Sequence, residues 1–116
     1  MRKLDDAELR AVLAMVAALG PGGDQVARDV TDGQVEPEDS YGAHLIFHLP
    51  GYERPPYEGQ RDLPVEGKMR DVDGVEIRVL LWEDQNRRLY ELELLKLAEG
   101  EPIAPDWRSF EVLTRS

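Results

Sequence analysis

Leu4, Leu9, Val12, Leu13, Val16 and Leu19 recur at three- and four-residue steps, the spacing of one face of an α-helix. Asp5 stands where an N-cap belongs, and Glu8 follows three residues later as in a capping box. Gly20-Pro21-Gly22-Gly23 then stops the helix, because glycine accepts a left-handed cap and proline cannot continue the ladder. The pattern predicts an amphipathic helix from Asp5 to Leu19, with Ala14, Ala17 and Ala18 small enough for another element to approach. Residues 24–33, "DQVARDVTDG", alternate poorly but read as β-compatible, ending in the turn signal Asp32-Gly33.

The remainder changes period from helical to alternating. In "YGAHLIFHL" the positions Tyr41, Ala43, Leu45, Phe47 and Leu49 share one strand face, and His44, Ile46 and His48 the other. Pro50 to Pro64 holds four prolines and two glycines and predicts an irregular loop, of a length that is usually functional or mobile. "VEGKMRDV", "VEIRVLLW" and "RLYELELLKL" then read as a β-meander, with Val75, Ile77, Val79 and Leu81 inward. In its last strand Tyr90, Leu92 and Leu94 share one face, and Leu89, Glu91, Glu93 and Leu95 the other. Pro102 and Pro105 interrupt pairing, and "RSFEVL" is either a short final strand or packs on an edge. The expected fold is α+β over a single domain, residues 1–116. One N-terminal helix packs on a mainly antiparallel sheet, with the meander in the C-terminal half.

Asp71-Val72-Asp73-Gly74 is the one stretch that invites a metal. A calcium loop opening at Asp71 needs an oxygen ligand at its fifth position and glycine at its sixth. The chain has Val75 and Glu76 there, and Trp82 where a bidentate glutamate belongs. Asp-Gly between alternating apolar residues is instead a hairpin signal, and it predicts a type I′ turn with positive φ at both central residues. His44 and His48 share a strand face but lie ~13 Å apart along it, too far to hold one ion. No metal site and no cofactor are expected.

Composition narrows the partners. The chain carries 24 acidic and 14 basic side chains, a net charge of −10. Such a surface repels phosphate backbones and anionic membranes, so a basic protein is the electrostatic match. There is no cysteine, which excludes disulfides and thiolate metal sites and fits a reducing compartment. The basic N-terminus resembles a signal peptide only superficially. Asp5, Asp6, Glu8 and Arg10 interrupt it, and Ala11 to Leu19 is too short to span a bilayer, so a cytoplasmic location is expected.

Catalytic chemistry finds little footing. Ser40, Ser109 and Ser116 lack a G-x-S-x-G elbow, and no cysteine nucleophile exists. Glu91 and Glu93 share a strand face ~6.6 Å apart, a separation that carboxylate pairs of glycosidases can show. The alternative is a solvated face, with Arg78 on the neighbouring strand as a cross-strand partner. No catalytic residue is assigned.

The D-x-DG hairpin at Asp71–Gly74, the strand pattern L-x-E-L-[DE]-x-x-K from Leu89 to Lys96, the opening helix and Asp32-Gly33 together resemble a small bacterial domain family of unknown function. Asn86 stands where the family's second turn favours glycine, and asparagine also accepts left-handed φ. The resemblance implies a fold and no activity. In size and acidity the chain is also similar, by analogy, to immunity proteins of bacterial toxin systems.

The first expectation is therefore an acidic, non-catalytic inhibitor that neutralises a basic partner such as a bacterial toxin. Its contacts would be the meander acids Glu83, Asp84, Glu91 and Glu93, taken as exposed, and the loop anchors Tyr52, Arg54 and Tyr57. A stand-alone housekeeping domain or a homodimer comes second. A small carboxylate enzyme using Glu91, Glu93 and His44 or His48 comes third.

Overall fold

The computed structural model describes residues 1–56, 58–59 and 61–114. Helix α1 spans Asp6–Ala17 and is capped as its sequence requires. The Asp5 carboxylate accepts from the Glu8 N–H at 2.8 Å, and Glu8 Oε1 accepts from the Asp5 N–H at 2.9 Å. Arg2 locks the buried Glu8 from behind with two bonds, at 2.6 and 2.9 Å. The helix ends two residues before Leu19, with Gly20 left-handed at φ +72°.

Residues 24–32 depart from the β-compatible reading. They form helix α2, Asp24–Asp32, entered through a 3-10 turn at Gly20–Gly23. Val26 and Val30 stand four residues apart, a spacing that fits either period. The helix wins because it gathers both valines and Asp29 on one buried face. Asp32-Gly33 marks the helix end and no β-turn. The Gly33 N–H donates to the Asp29 carbonyl at 2.9 Å, and a Cβ on Gly33 would lie 2.7 Å from that oxygen.

Among the described residues six strands follow: β1 Gln34–Pro37, β2 His44–His48, β3 Arg61–Arg70, β4 Glu76–Glu83, β5 Leu89–Lys96 and β6 Asp106–Thr114. They join one antiparallel sheet in the order β1-β2-β5-β4-β3-β6. The fold is the expected α+β class, with an N-terminal helical region packed on a curled sheet. β1 was not anticipated, and β3 claims the last four residues of the expected Pro50–Pro64 loop. Pro64, which has no N–H to give, sits where the β3–β4 register shifts between Asp62 and Glu66.

The core lies between the helices and one sheet face. Val12, Met15 and Val30 meet Phe47, Val65, Met69, Ile77, Val79, Leu81 and Leu92, all essentially inaccessible to solvent. Val75, expected inside, is only half-buried at the hairpin mouth. In β5 the expected alternation slips by one. Trp82 pairs with Glu91 but Glu83 pairs with Leu89, so Tyr90 is the extra residue of a β-bulge. Leu89 thereby joins Leu92 in the core.

Both meander hairpins use one three-residue loop. The Asp71 N–H donates to the Val75 carbonyl and the Gly74 N–H to the Asp71 carbonyl, each at 2.9 Å. At the next turn the Asp84 N–H bonds the Arg88 carbonyl at 2.8 Å, and the Arg87 N–H bonds the Asp84 carbonyl at 3.0 Å. The left-handed residue is Gly74 in the first, at φ +84°, and Arg87 in the second, at φ 59°. This corrects the type I′ expectation, since Asp73 has no positive φ, and it moves the left-handed position from Asn86 to Arg87. A side chain in that conformation costs ~1–2 kcal/mol. Arg87→Gly is therefore expected to stabilise the fold by ~0.5–1 kcal/mol after glycine's greater chain entropy is counted, measured by urea unfolding.

Candidate functional site

Each hairpin loop begins with a buried aspartate, and both are pegs for distant backbone. Asp71 is 3% exposed. Its Oδ1 accepts from the Val72 and Ala104 N–H groups, and its Oδ2 from the Ile103 N–H and Lys96 Nζ, all at 2.8–2.9 Å. Lys96 Nζ also reaches Asp73 Oδ2 at 2.6 Å. The cation between the two aspartates is thus the lysine of the L-x-E-L-[DE]-x-x-K strand. Burial alone would push the Asp71 carboxyl up, but Lys96 and the three backbone donors hold it well below the ordinary carboxylate range.

Asp84, 4% exposed, is the second peg. Its Oδ1 accepts from the Asn86 and Arg88 N–H groups, and its Oδ2 from the Tyr52 hydroxyl at 2.6 Å and Arg54 at 2.7 Å. Burial opposes ionisation here too, and the Tyr52 hydroxyl with the two backbone donors lowers the carboxyl. Arg54 also donates to the Phe47 and Leu89 carbonyls, both at 2.9 Å, where β2 and β5 part. Arg88 lies over the Tyr52 ring at 4.4 Å and grips Asp29 of α2 through Nε and Nη2. Asp29 is 2% exposed and also accepts from the Leu89 N–H.

The expected contact residues are redistributed accordingly. Tyr52, Arg54 and Asp84 are engaged inside the chain, holding the loop after β2 to the second hairpin. Glu83 is half-buried, with Arg61 at 3.6 Å, and Glu91 is 5% exposed. The meander acids are therefore not the exposed row that was expected. Tyr57 lies outside the described residues.

What converges instead is the sheet face turned away from the core. Glu38 lies beside His44, joined through its N–H to the His44 carbonyl, and His44 pairs with Glu93 on β5. Ile46 lies between Glu36 and Glu91 in the next row. His44 Nδ1 meets Glu91 Oε2 at 2.6 Å, and Trp82 Nε1 donates to Glu93 Oε1 at 2.9 Å. Asp39, fixed by the Tyr41 and Ala43 N–H groups, brings Oδ2 to 4.0 Å from His44 Nε2. His48 points to Glu36 at 2.9 Å, away from this group. Arg78 does not join Glu93, because it faces Leu95 and binds Glu76 at 2.7 Å.

Burial pushes the Glu91 carboxyl up; His44 pulls it down, Glu93 and Glu38 push it further, and the balance is raised. Burial lowers His44, but Glu91, Glu93 and Asp39 more than compensate, and the imidazole is raised. Chemically the pair can share a proton. Glu38, His44 and Glu91 also bring one donor atom each within 4.8 Å of one another, a mixed nitrogen and oxygen set. Glu36, Glu38 and Asp39 stand close together in the sequence. Their meeting with β5 depends on a strand pairing that spacing does not reveal.

Residues 1–103 match a family described as a domain of unknown function, DUF6984. The chain belongs to that family. Both hairpin pegs and the acidic face fall within the DUF6984 span, whereas β6 lies beyond it. Comparison with curated proteins and with solved structures gives no match. No helix among the described residues is long and apolar enough to cross a membrane.

Proposed function

We propose that this DUF6984 domain is a non-catalytic binding protein of the inhibitor or immunity kind, which neutralises a basic toxin or enzyme in the cytoplasm. The observation supporting this reading is the gathering of Glu38, Asp39, Glu91 and Glu93 around His44 on the sheet face opposite the core, with Glu36 in the next row beside Ile46. Ile46, Leu80 and Trp82 lie half-buried on the same face and add apolar contact area beside the charge. Such a surface speeds encounter with a basic partner by steering and selects it by charge. An enzyme would instead gather its acids in a cleft. The cleft of about 540 Å³ between the helical turn and the second hairpin is lined by Asp62 and Glu83 beside Arg61 and Arg87, and not by His44, Glu91 or Glu93.

The test is capture of the partner from source cells, followed by binding kinetics. The partner is expected to be basic, with an association rate that falls as salt rises. Reversing Glu36, Glu38 and Glu93 to lysine together should lower that rate ~10-fold or more while changing dissociation less. An acidic partner, or an association rate indifferent to salt and to the reversal, would sink the proposal.

A further inference from the structure

On the core side of the sheet, α1 approaches β6 through alanines. Ala7, Ala11 and Ala14 line one wall of a groove, and Trp107, Phe110 and Val112 of β6 line the other. Because alanine ends at Cβ, helix and strand leave a space of about 340 Å³ between them. Ala11 is buried, whereas Ala7, Ala14 and Val112 are exposed. Trp107 and Phe110 are half-buried with ring centroids 6.3 Å apart. The ring of Phe110 lies directly over Gly67, where a Cβ would come within 2.2 Å of it. That fit holds one side of the groove in place.

Arg10 and Arg108 complete the lining. Arg2, Arg54, Arg61, Arg78 and Arg88 each have a carboxylate partner, whereas Arg28, Arg70 and Arg87, none of which lines this groove, have none among the described residues. Among the described residues, the side chains of Arg10 and Arg108 make neither an ion pair nor a hydrogen bond, in a chain with ten more acids than bases. Two uncommitted guanidinium groups beside an apolar, aromatic groove select their occupant by charge. An anionic end matches the arginines, whose planar fork suits a carboxylate. A hydrocarbon or ring matches the alanine and aromatic walls. The volume stands at the small end of ligand sites, so it suits a single small molecule and not a helix or strand.

We propose that the groove between α1 and β6 binds a small apolar carboxylate, its ring or chain seated against Ala11, Trp107 and Phe110 and its anionic end held by Arg10 and Arg108. The site lies on different elements from the acidic face, so it stands or falls separately from the binding function above. Its far wall, β6, lies outside the span that matches the family.

The experiment titrates the full chain with naphthalene-2-carboxylate and, in parallel, with 2-naphthalenemethanol, which has a similar shape and no charge. Calorimetry gives affinities and the alanine methyl resonances give location. The carboxylate is expected to saturate, to shift Ala7, Ala11 and Ala14, and to bind at least ~10-fold more tightly than the alcohol. In the Arg10→Gln/Arg108→Gln protein the carboxylate should fall to the affinity of the alcohol, with the alcohol unchanged. Ala14→Phe should remove both by filling the groove. If that variant fails to fold, the arginine variant decides alone. No saturable binding, equal affinity for the two probes, or carboxylate binding untouched by the arginine changes would each overturn the proposal.

Discussion

Replacing Asp71 with alanine is expected to cost about 3–5 kcal/mol of folding free energy, the usual loss when one partner of a buried charged network is removed. The variant takes from Lys96, whose side chain is 4% exposed, the more buried of its two carboxylate partners and orphans the N–H groups of Val72, Ile103 and Ala104. Asp73→Ala removes a partner of the same lysine but leaves Asp71 and its backbone donors in place, so its effect should be much smaller. Urea unfolding of the two variants against the parent makes the comparison. Losses of equal size would mean that the ion pair matters and the backbone peg does not. Asp71→Asn separates the terms further, since it keeps an acceptor for the loop while removing the charge.

Acid should destabilise the protein through both pegs. The unfolded chain takes up protons at Asp71 and Asp84 near their ordinary value of 3.8, whereas the folded carboxyls, held lower, resist. The unfolded state then binds more protons, and stability falls as pH falls through the folded values. A loss of at least about 2 kcal/mol between about pH 5 and pH 2 is expected. Glu91 and His44 carry the opposite sign. Both are raised, so each favours the folded state on the acid side and withdraws that support as pH rises through its folded value. Together they predict a broad stability maximum in mildly acidic solution. Asp84→Asn should flatten the acid limb, and His44→Gln the limb above about pH 6. Thermal melts across this range provide the check; a stability that is flat or rising on acidification contradicts the peg assignment.

These pegs mark where sequence stops being legible. The helix from Asp5, the strand at His44–His48 and the Asp73-Gly74 hairpin rest on local rules, and each stands where its residues place it. Helix α2 was hidden because Val26 and Val30 satisfy two periods at once. The buried Asp29 that decides between them is stabilised by Arg88, far away in the chain. The bulge at Tyr90 is likewise set by β4, and it turns Leu89 inward against its apparent alternation. Burial of acids was the largest gap. Asp84 and Glu91 look like solvated charges until Arg54, Tyr52 and His44 arrive from other segments to satisfy them. Hydrophobic pattern reports which face an apolar residue seeks, and it is silent on which charge has found a partner.

The contact between α1 and β6 bears on how the chain is made as well as on how it stands. Ribosomes add roughly 5–20 residues per second. Residues 106–114 therefore emerge seconds after residues 6–17, and until then the first helix lacks the strand that closes one side of its bed. Helix α2 and the early strands can gather sooner, but β2 must also wait for β5. During that interval the nascent chain exposes apolar surface that the finished sheet conceals. A chaperone that shields exposed apolar segments would have its opportunity then, before the closing strand leaves the exit tunnel.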